Sequence, residues 1–359
     1  MVSVNDYNHD SGEASPLFPS PSFDSMSATI QDVADCADVS VATVSRVLNG
    51  SDRVRESTKE QVLEAARELD YLRNESARNL RTQKTRTVGV LLPNIHGEFF
   101  AQVTQGLDRE ARENGHHLLV SNSHTDEAEA ESVIRSLLGR VDGLIILWPR
   151  LDVDFLETLV PERLPLVLLN TAAQQSRFRT LSFDNRSGAY TAIQHLAEHG
   201  HERIAILTGG AQNFDAQERL AGYRTAVDDF DLVASSALEI EGNFTRESGH
   251  AAVERFLDLD PRPTALFATN DSMALGALRG FHEAGLQVPE DVAVIGFDDI
   301  PTGRYVTPSL STVHVPTQEL GEQAMHHLLE GLRGGDPPSH QTLETGLVPR
   351  ESCGCSSTG

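Results

Sequence analysis

Thr29-Ile-Gln-Asp-Val-Ala-Asp-Cys-Ala-Asp-Val-Ser-Val-Ala-Thr-Val-Ser-Arg-Val-Leu-Asn-Gly50 decides how the N-terminal part of the chain folds. Ile30, Val33, Ala34 and Ala37 recur at i, i+3, i+4 and i+7, the stripe of an amphipathic helix. Asp38-Val39-Ser40 makes a tight turn. Ser40 is a good N-cap for a second helix over 41–48, and Asn49-Gly50 ends it. A third helix is expected from about 57 to 69, with Val62, Leu63, Ala66 and Leu69 inward. Three short helices with a three-residue turn between the first two spell helix-turn-helix.

The first residues of the second helix in such a motif meet base edges in the major groove. Arg46 can make a bidentate contact to guanine O6 and N7, worth about 1–3 kcal/mol of discrimination. Val41 and Ala42 offer only apolar contacts, such as to a thymine methyl. Ser40, Thr43, Ser45, Asn49 and Arg53 suit phosphates, which fix register rather than sequence.

Outward from this stretch the composition changes. Residues 1–27 are rich in Ser, Pro and Asp, show no period, and are expected to be a disordered arm. From Thr87 onward apolar strands alternate with amphipathic helices. Strands are expected at 88–92, 117–122, 143–148, 166–170, 203–208, 265–269 and 292–297, with helices such as 100–114, 186–199, 216–228 and 271–284 between them. That alternation means parallel sheets covered on both faces. About 265 residues exceed one compact sheet, so two similar α/β lobes are expected.

The chain of 359 residues has a net charge of −24, which looks wrong for a DNA binder. Its distribution resolves the conflict. Residues 1–27 hold four acids and no base, residues 28–86 hold ten of each, and the remainder carries −20. The acid therefore sits on the large C-terminal part, where it keeps the surface hydrated. No apolar run of about 18 residues reads as a membrane span. No basic-then-apolar N-terminal segment reads as a secretory signal, so a cytoplasmic location is expected. The three cysteines, Cys36, Cys353 and Cys355, are too few for a disulfide framework. Cys353-Gly-Cys355 reads as a solvated tail, and no metal or cofactor is expected. His116-His117 and His326-His327 read as surface residues, because sequence neighbours point apart. No nucleotide-binding, metalloprotease or serine-hydrolase motif appears, so an enzyme is not expected.

The segment TIQDVADCADVSVATVSRVLNG, followed by VRESTKEQVLEAARELDYLRNESARNLR, resembles the head of the lactose-repressor (LacI/GalR) family over Thr29 to Arg81. That resemblance implies a hinge helix at 74–80. Two hinge helices of a dimer would enter the minor groove through Asn74, Ala77 and Arg78, with Leu80 wedged between base steps. Two positions depart from the family pattern, Asp38 where glycine is usual and Arg73 where proline is usual. An isolated hinge of about eight residues is too short to be helical alone in water, so anything that separates the pair weakens DNA binding.

The resemblance extends to about Glu351 through motifs such as His199-Gly-His-Glu-Arg-Ile204, Arg219-Leu-Ala-Gly-Tyr223, Thr269-Asn-Asp271 and Gly296-Phe-Asp-Asp299. It implies an all-α helix-turn-helix head on a two-lobed, periplasmic-binding-protein-like α/β body with parallel sheets. A small ligand, a sugar or sugar derivative, is expected between the lobes. Carried over by position, its contacts are Phe99, Phe100, Asn170, Arg219, Phe244, Asn270 and Asp298. The implied layout is an arm at 1–27, a head at 28–72, a hinge and linker at 73–86, an effector and dimerisation body at 87–351 and a tail at 352–359. Lobe 1 is taken as about 87–182 with 313–340, and lobe 2 as about 183–312 with 341–351. The expected assembly is a homodimer on a pseudo-palindromic operator, without a C-terminal tetramer seam.

Overall fold

The computed structural model describes residues 28–48, 50–51, 53–71, 84–94, 97–123, 126–148, 153–171 and 176–355. The arm at 1–27, Asn49, and the hinge residues Asn74, Ala77, Arg78 and Leu80 lie outside the described residues. The chain divides between Gln83 and Lys84 into two units, and each is taken by itself.

The first unit holds α1 (Ile30–Cys36), α2 (Val41–Leu48) and α3 (Glu56–Glu68). Thr29 starts α1 with a capping box. Its hydroxyl accepts from the Asp32 amide at 3.3 Å, and the Asp32 carboxylate accepts from the Thr29 amide at 2.7 Å. Asp38 ends α1 in the left-handed region at φ 51. The Val39 amide then reaches back to the Ala34 carbonyl and the Asp38 amide to that of Asp35, a Schellman motif. The Ser40 hydroxyl accepts from the Thr43 amide at 3.2 Å and so caps α2. Val33, Ala34, Val44, Val47, Val62 and Ala65 form the core. One expectation fails here: Leu63 is 38% exposed and Ala65 takes the inward place. Val62, Ala66 and Leu69 pack inward as expected, so only one edge of the α3 stripe differs.

The second unit holds two six-stranded sheets. The first contains β1 (Thr87–Leu92), β2 (His117–Asn122), β3 (Gly143–Leu147), β4 (Leu166–Leu169), β5 (Arg179–Phe183) and β11 (His340–Leu343). The second contains β6 (Ile204–Thr208), β7 (Glu239–Glu241), β8 (Ala265–Ala268), β9 (Ala293–Asp298), β10 (Ser311–His314) and β12 (Gly346–Val348). Their orders are β2-β1-β3-β4-β5-β11 and β7-β6-β8-β9-β10-β12. All pairings are parallel except β10 with β12. Each lobe therefore repeats one doubly wound topology, with its order reversing beside its first strand. An open α/β sheet leaves its ligand crevice at that switch point, outside the strand C-termini.

Helices cover the sheets: α4 (Glu98–Glu113), α5 (Glu127–Leu137), α6 (Val153–Leu159) and α11 (Thr317–Leu332) on the first, and α7 (Asn185–Glu198), α8 (Phe214–Asp229), α9 (Arg246–Leu257) and α10 (Asp271–Glu283) on the second. The chain passes between the sheets after β5, after β10 and after β11. Helices α4 and α11 cross closely through Gly106 and Gly321. A Cβ on either would lie about 2 Å from a carbonyl of the other helix, 2.0 Å from Gln318 and 2.2 Å from Val103. The seven expected strands are all present. Five further strands, β5, β7, β10, β11 and β12, were not expected.

Two surface readings are corrected. His327 is only 7% exposed, because it lies on the inward stripe of α11. Cys353 is 3% exposed and joins the cluster beneath α7, so the Cys353-Gly-Cys355 segment is not a solvated tail.

Candidate functional sites

In the head, the face of α2 opposite Val44 and Val47 presents Ala42 and Arg46, both exposed and one turn apart. Arg53 is also exposed. The Ser40 and Thr43 hydroxyls lie 2.9 Å apart and hold each other at the start of α2. Each keeps spare hydrogen-bonding capacity for a phosphate. Val41 is half-buried against the small core.

In the body, the C-terminal ends of both sheets face one cavity of about 440 Å³. Six of the seven expected residues line it: Phe99 and Phe100 from one lobe, and Arg219, Phe244, Asn270 and Asp298 from the other. Asn170 stands behind the wall, fully buried. Its side-chain amide is 3.5 Å from an Asp215 carboxylate oxygen.

Arg219 organises the polar side. It is 3% exposed. Its Nε donates to Asn185 Oδ1 at 2.8 Å and its Nη1 to the Thr269 carbonyl at 2.5 Å. Nη1 also lies 3.5 Å from Asp298 Oδ1, and the guanidinium stacks 3.8 Å above the Phe297 ring. Asn185 in turn donates to Asp215 at 2.8 Å. One cation thus serves two buried carboxylates. Burial pushes the Asp215 carboxyl up against the pull of Arg219. Burial likewise pushes Asp298 up to about 7, again opposed by Arg219. The pair is therefore a fixed donor beside an acid that carries or sheds a proton near neutrality.

The backbone around the cavity is unusual. Asn170, Phe244, Asp298 and Asp299 all have positive φ, at 50, 67, 117 and 56 degrees. For a phenylalanine this is strain, and such strain clusters at ligand sites. Gly209 makes it feasible, since a Cβ there would lie 2.1 Å from the Phe244 ring. Asn270 is partly committed elsewhere. Its Oδ1 caps α10 at the Met273 amide, 2.9 Å away, and its Nδ2 donates to the Phe244 carbonyl at 3.2 Å.

Among the contributors that were not expected are Trp148, Asp215 and Asn185. Trp148 follows β3 and lines the cavity, and its indole N–H has no partner. Asn170 Oδ1 is likewise buried and unpartnered. Unsatisfied polar atoms beside a cavity are what a polar ligand would complete. The lobes also meet across the cleft. Glu98 accepts from the Thr302 amide at 2.9 Å and from its hydroxyl at 2.5 Å, and it lies 3.8 Å from Arg246.

A helix-turn-helix head with an exposed second helix, joined to two doubly wound lobes around a small-molecule cleft, defines a ligand-responsive DNA-binding regulator. The comparisons with known proteins agree. The bacterial regulatory proteins of the lacI family match residues 29–74, and the periplasmic binding protein-like domain matches residues 193–353. The transcriptional repressor PurR of Aliivibrio fischeri (strain MJ11) is 37% identical over 313 residues, 86% of this chain and 93% of that one. Catabolite control protein A of Priestia megaterium is 35% identical over 325 residues, 90% and 96% of the two chains. The lac repressor dimer bound to operator and the anti-inducer ONPF superposes with a TM-score of 0.83 at 30% identity, covering 91% of this chain and 99% of that one. The chain belongs to the lacI family of bacterial regulatory proteins and is a DNA-binding transcriptional regulator. Among the described residues no helix is long and apolar enough to cross a membrane.

Proposed function

We propose that this regulator is a homodimeric repressor whose operator affinity is set by a carbohydrate effector in the cleft. Residues 28–72 read the operator, 73–86 form the hinge and linker, and 87–351 sense the effector and dimerise. The observation that carries the effector class is the Arg219–Asp298 pair set among the rings of Phe99, Phe244 and Trp148. A donor and an acceptor side by side bracket adjacent hydroxyls, while an aromatic wall stacks on the apolar face of a sugar ring. The cavity volume falls within the range of small-molecule sites, about 300–1,000 Å³. Similar structures support the reading, one of them the regulator CelR in complex with cellobiose. Its TM-score is 0.70 at 33% identity, with 90% of this chain and 99% of that one covered.

In the head, Ser40, Val41, Ala42, Thr43, Ser45, Arg46, Asn49 and Arg53 form the major-groove surface, and Arg46 supplies sequence preference. Asn74, Ala77, Arg78 and Leu80 supply the minor-groove contact. Two copies read two half-sites of a pseudo-palindrome.

The test is a thermal-shift screen of the full chain with mono- and disaccharides alongside nucleobases. Each hit is followed by titration of an operator selected from random DNA. A sugar that raises the melting temperature and weakens operator binding is expected. A shift from nucleobases alone overturns the carbohydrate class, and a ligand that tightens operator binding overturns induction in favour of co-repression. Arg46→Ala is expected to lose about 5- to 150-fold of the preference for operator over random DNA while weak random binding persists. Equal loss on both DNAs would remove Arg46 from the reading surface.

A further inference from the structure

Two thiols and two imidazoles meet where the end of the chain returns to α7. His195 in the last turn of that helix and His199 at its C-cap stand at i and i+4, four residues apart on the same side. The chain comes back through the short turn Glu351–Cys353. Gly354 then adopts φ 85, a conformation glycine takes at little cost. That reversal places both cysteine sulfurs against one nitrogen. Cys353 Sγ is 3.4 Å and Cys355 Sγ 3.3 Å from His195 Nε2. Cys355 Sγ is also 3.6 Å from His199 Nε2. The donor atoms of His195, Cys353 and Cys355 all lie within 4.8 Å of one another.

We propose that this cluster binds a thiolate-selective metal ion, zinc, through Cys353, Cys355 and His195, with His199 as the fourth ligand. The distances carry the argument. Zinc bonds of about 2.3 Å to sulfur and 2.0–2.1 Å to nitrogen, at the tetrahedral angle, set the N···S edge near 3.6 Å. A neutral imidazole offers one lone pair on Nε2, so it serves one thiol at a time; Cys353 Sγ also lies 3.5 Å from the Arg350 carbonyl oxygen, its alternative acceptor when the thiol is protonated. The second histidine is already oriented. His199 Nδ1 lies 2.7 Å from the His195 carbonyl oxygen, so it bears the proton and leaves Nε2 free to ligate. An outer partner that fixes the tautomer is a regular feature of metal sites. Two thiolates exclude magnesium and calcium and favour zinc among the common divalent ions. Binding displaces both thiol protons to solvent, and the two thiolate charges balance the cation.

The place of the site gives it a consequence. The other end of α7 carries Asn185, which links Arg219 to Asp215 at the cleft. Zinc would clamp the far end of this helix to the strands of its lobe, and would hold the returning chain end against it.

The test uses the full chain, stripped of metal under a phosphine reductant. Cobalt(II) titration is expected to saturate at one equivalent, with a thiolate charge-transfer band and the intense visible bands of a tetrahedral site. Zinc should erase those bands and raise the melting temperature. His195→Gln and Cys355→Ser should lower zinc affinity by more than the about 10- to 100-fold that disturbing an outer partner costs. Both residues are part-exposed, so these variants should fold, whereas Cys353 is buried in the core beneath α7. Three results overturn the site: equal zinc uptake by wild type and both variants, cobalt spectra without the thiolate band, or a Cys353–Cys355 disulfide that survives the reductant. An affinity unchanged in His199→Gln overturns the fourth ligand.

Discussion

Asp298 is the residue whose chemistry most depends on its surroundings. Burial holds its carboxyl near 7 in the folded chain, against about 3.9 unfolded. Below pH 4 it is neutral in both states. Between about 4 and 7 the folded chain keeps a proton that the unfolded chain has lost. Stability therefore falls as pH rises through that window, by up to about 1.4 kcal/mol per pH unit from this group. Asp298→Asn should lose less stability than wild type between pH 5 and pH 8, read from denaturant midpoints. Equal losses would show that Asp298 does not titrate in that range. Trp148 offers a second test. Its indole N–H has no partner, so Trp148→Phe breaks no hydrogen bond in the free protein and costs only the packing of a smaller buried ring, about 1–2 kcal/mol. If the effector accepts from that N–H, its affinity should drop by about 2- to 13-fold, as calorimetry would read. An unchanged affinity would place the ligand away from Trp148. Removing Arg219 is a poorer test of the cleft, since it strands two buried carboxylates at a cost of about 3–5 kcal/mol.

These residues differ in how visible they were. Arg219 and Asp298 stood out as polar groups within resembling motifs, and Asp298 lies just at a strand end. Asp215 was hidden, because it sits one turn before Arg219 on α8 and reads as one more acid in an acidic chain. Trp148 looked like the last residue of an apolar strand. The signal that would have found it is its position, next after the C-terminal end of a parallel strand, which Asn170 shares.

At the scale of elements, helix ends decide the head. Asp38 and Asp70 hold the left-handed positions that close α1 and α3, at φ 51 and 48. Aspartate tolerates this better than most residues, but glycine avoids the cost altogether. Asp38→Gly is expected to stabilise the head by roughly 0.5–1 kcal/mol, seen as a higher melting temperature for the first transition of the full chain. No change, or a loss, would mean that Asp38 gains back as much through its side chain. The turn itself was legible from Asp38-Val39-Ser40 because capping is local chemistry. The edge of the α3 stripe was not, because Leu63 and Ala65 flank Val62, Ala66 and Leu69 on opposite sides and only packing chooses which side is covered. The same limit hid β5, β7 and β10 to β12. Each has five or fewer residues, and polar members such as the Thr and Ser of β5 and β10 break an apolar run. Their pairing comes from the sheet beside them rather than from their own pattern.

At the scale of the molecule, both lobes run one strand order, and three crossings of the chain join them. The alternation of strands and helices was plain in the sequence, so the α/β class and the need for two lobes were legible. The crossings were harder to fix, because a strand looks the same whichever sheet receives it. The acidity of the body has a related effect on partners. A surface of −20 over the residues after 86 repels phosphate, so DNA contact depends on where the arginines of the head stand.

Glu98 fastens one lobe to Thr302 and Arg246 of the other, directly over the cavity. If effector entry requires this clasp to open, the entry rate carries its signature. Association measured by stopped flow should level off at high effector concentration, at the opening rate, instead of climbing without limit. Glu98→Gln, which gives up the charge, should raise that plateau. A rate that stays linear and equal in both proteins would show a freely open door. With the plateau in place, brief pulses of effector pass unregistered, and the regulator answers to the duration of a signal as well as to its strength.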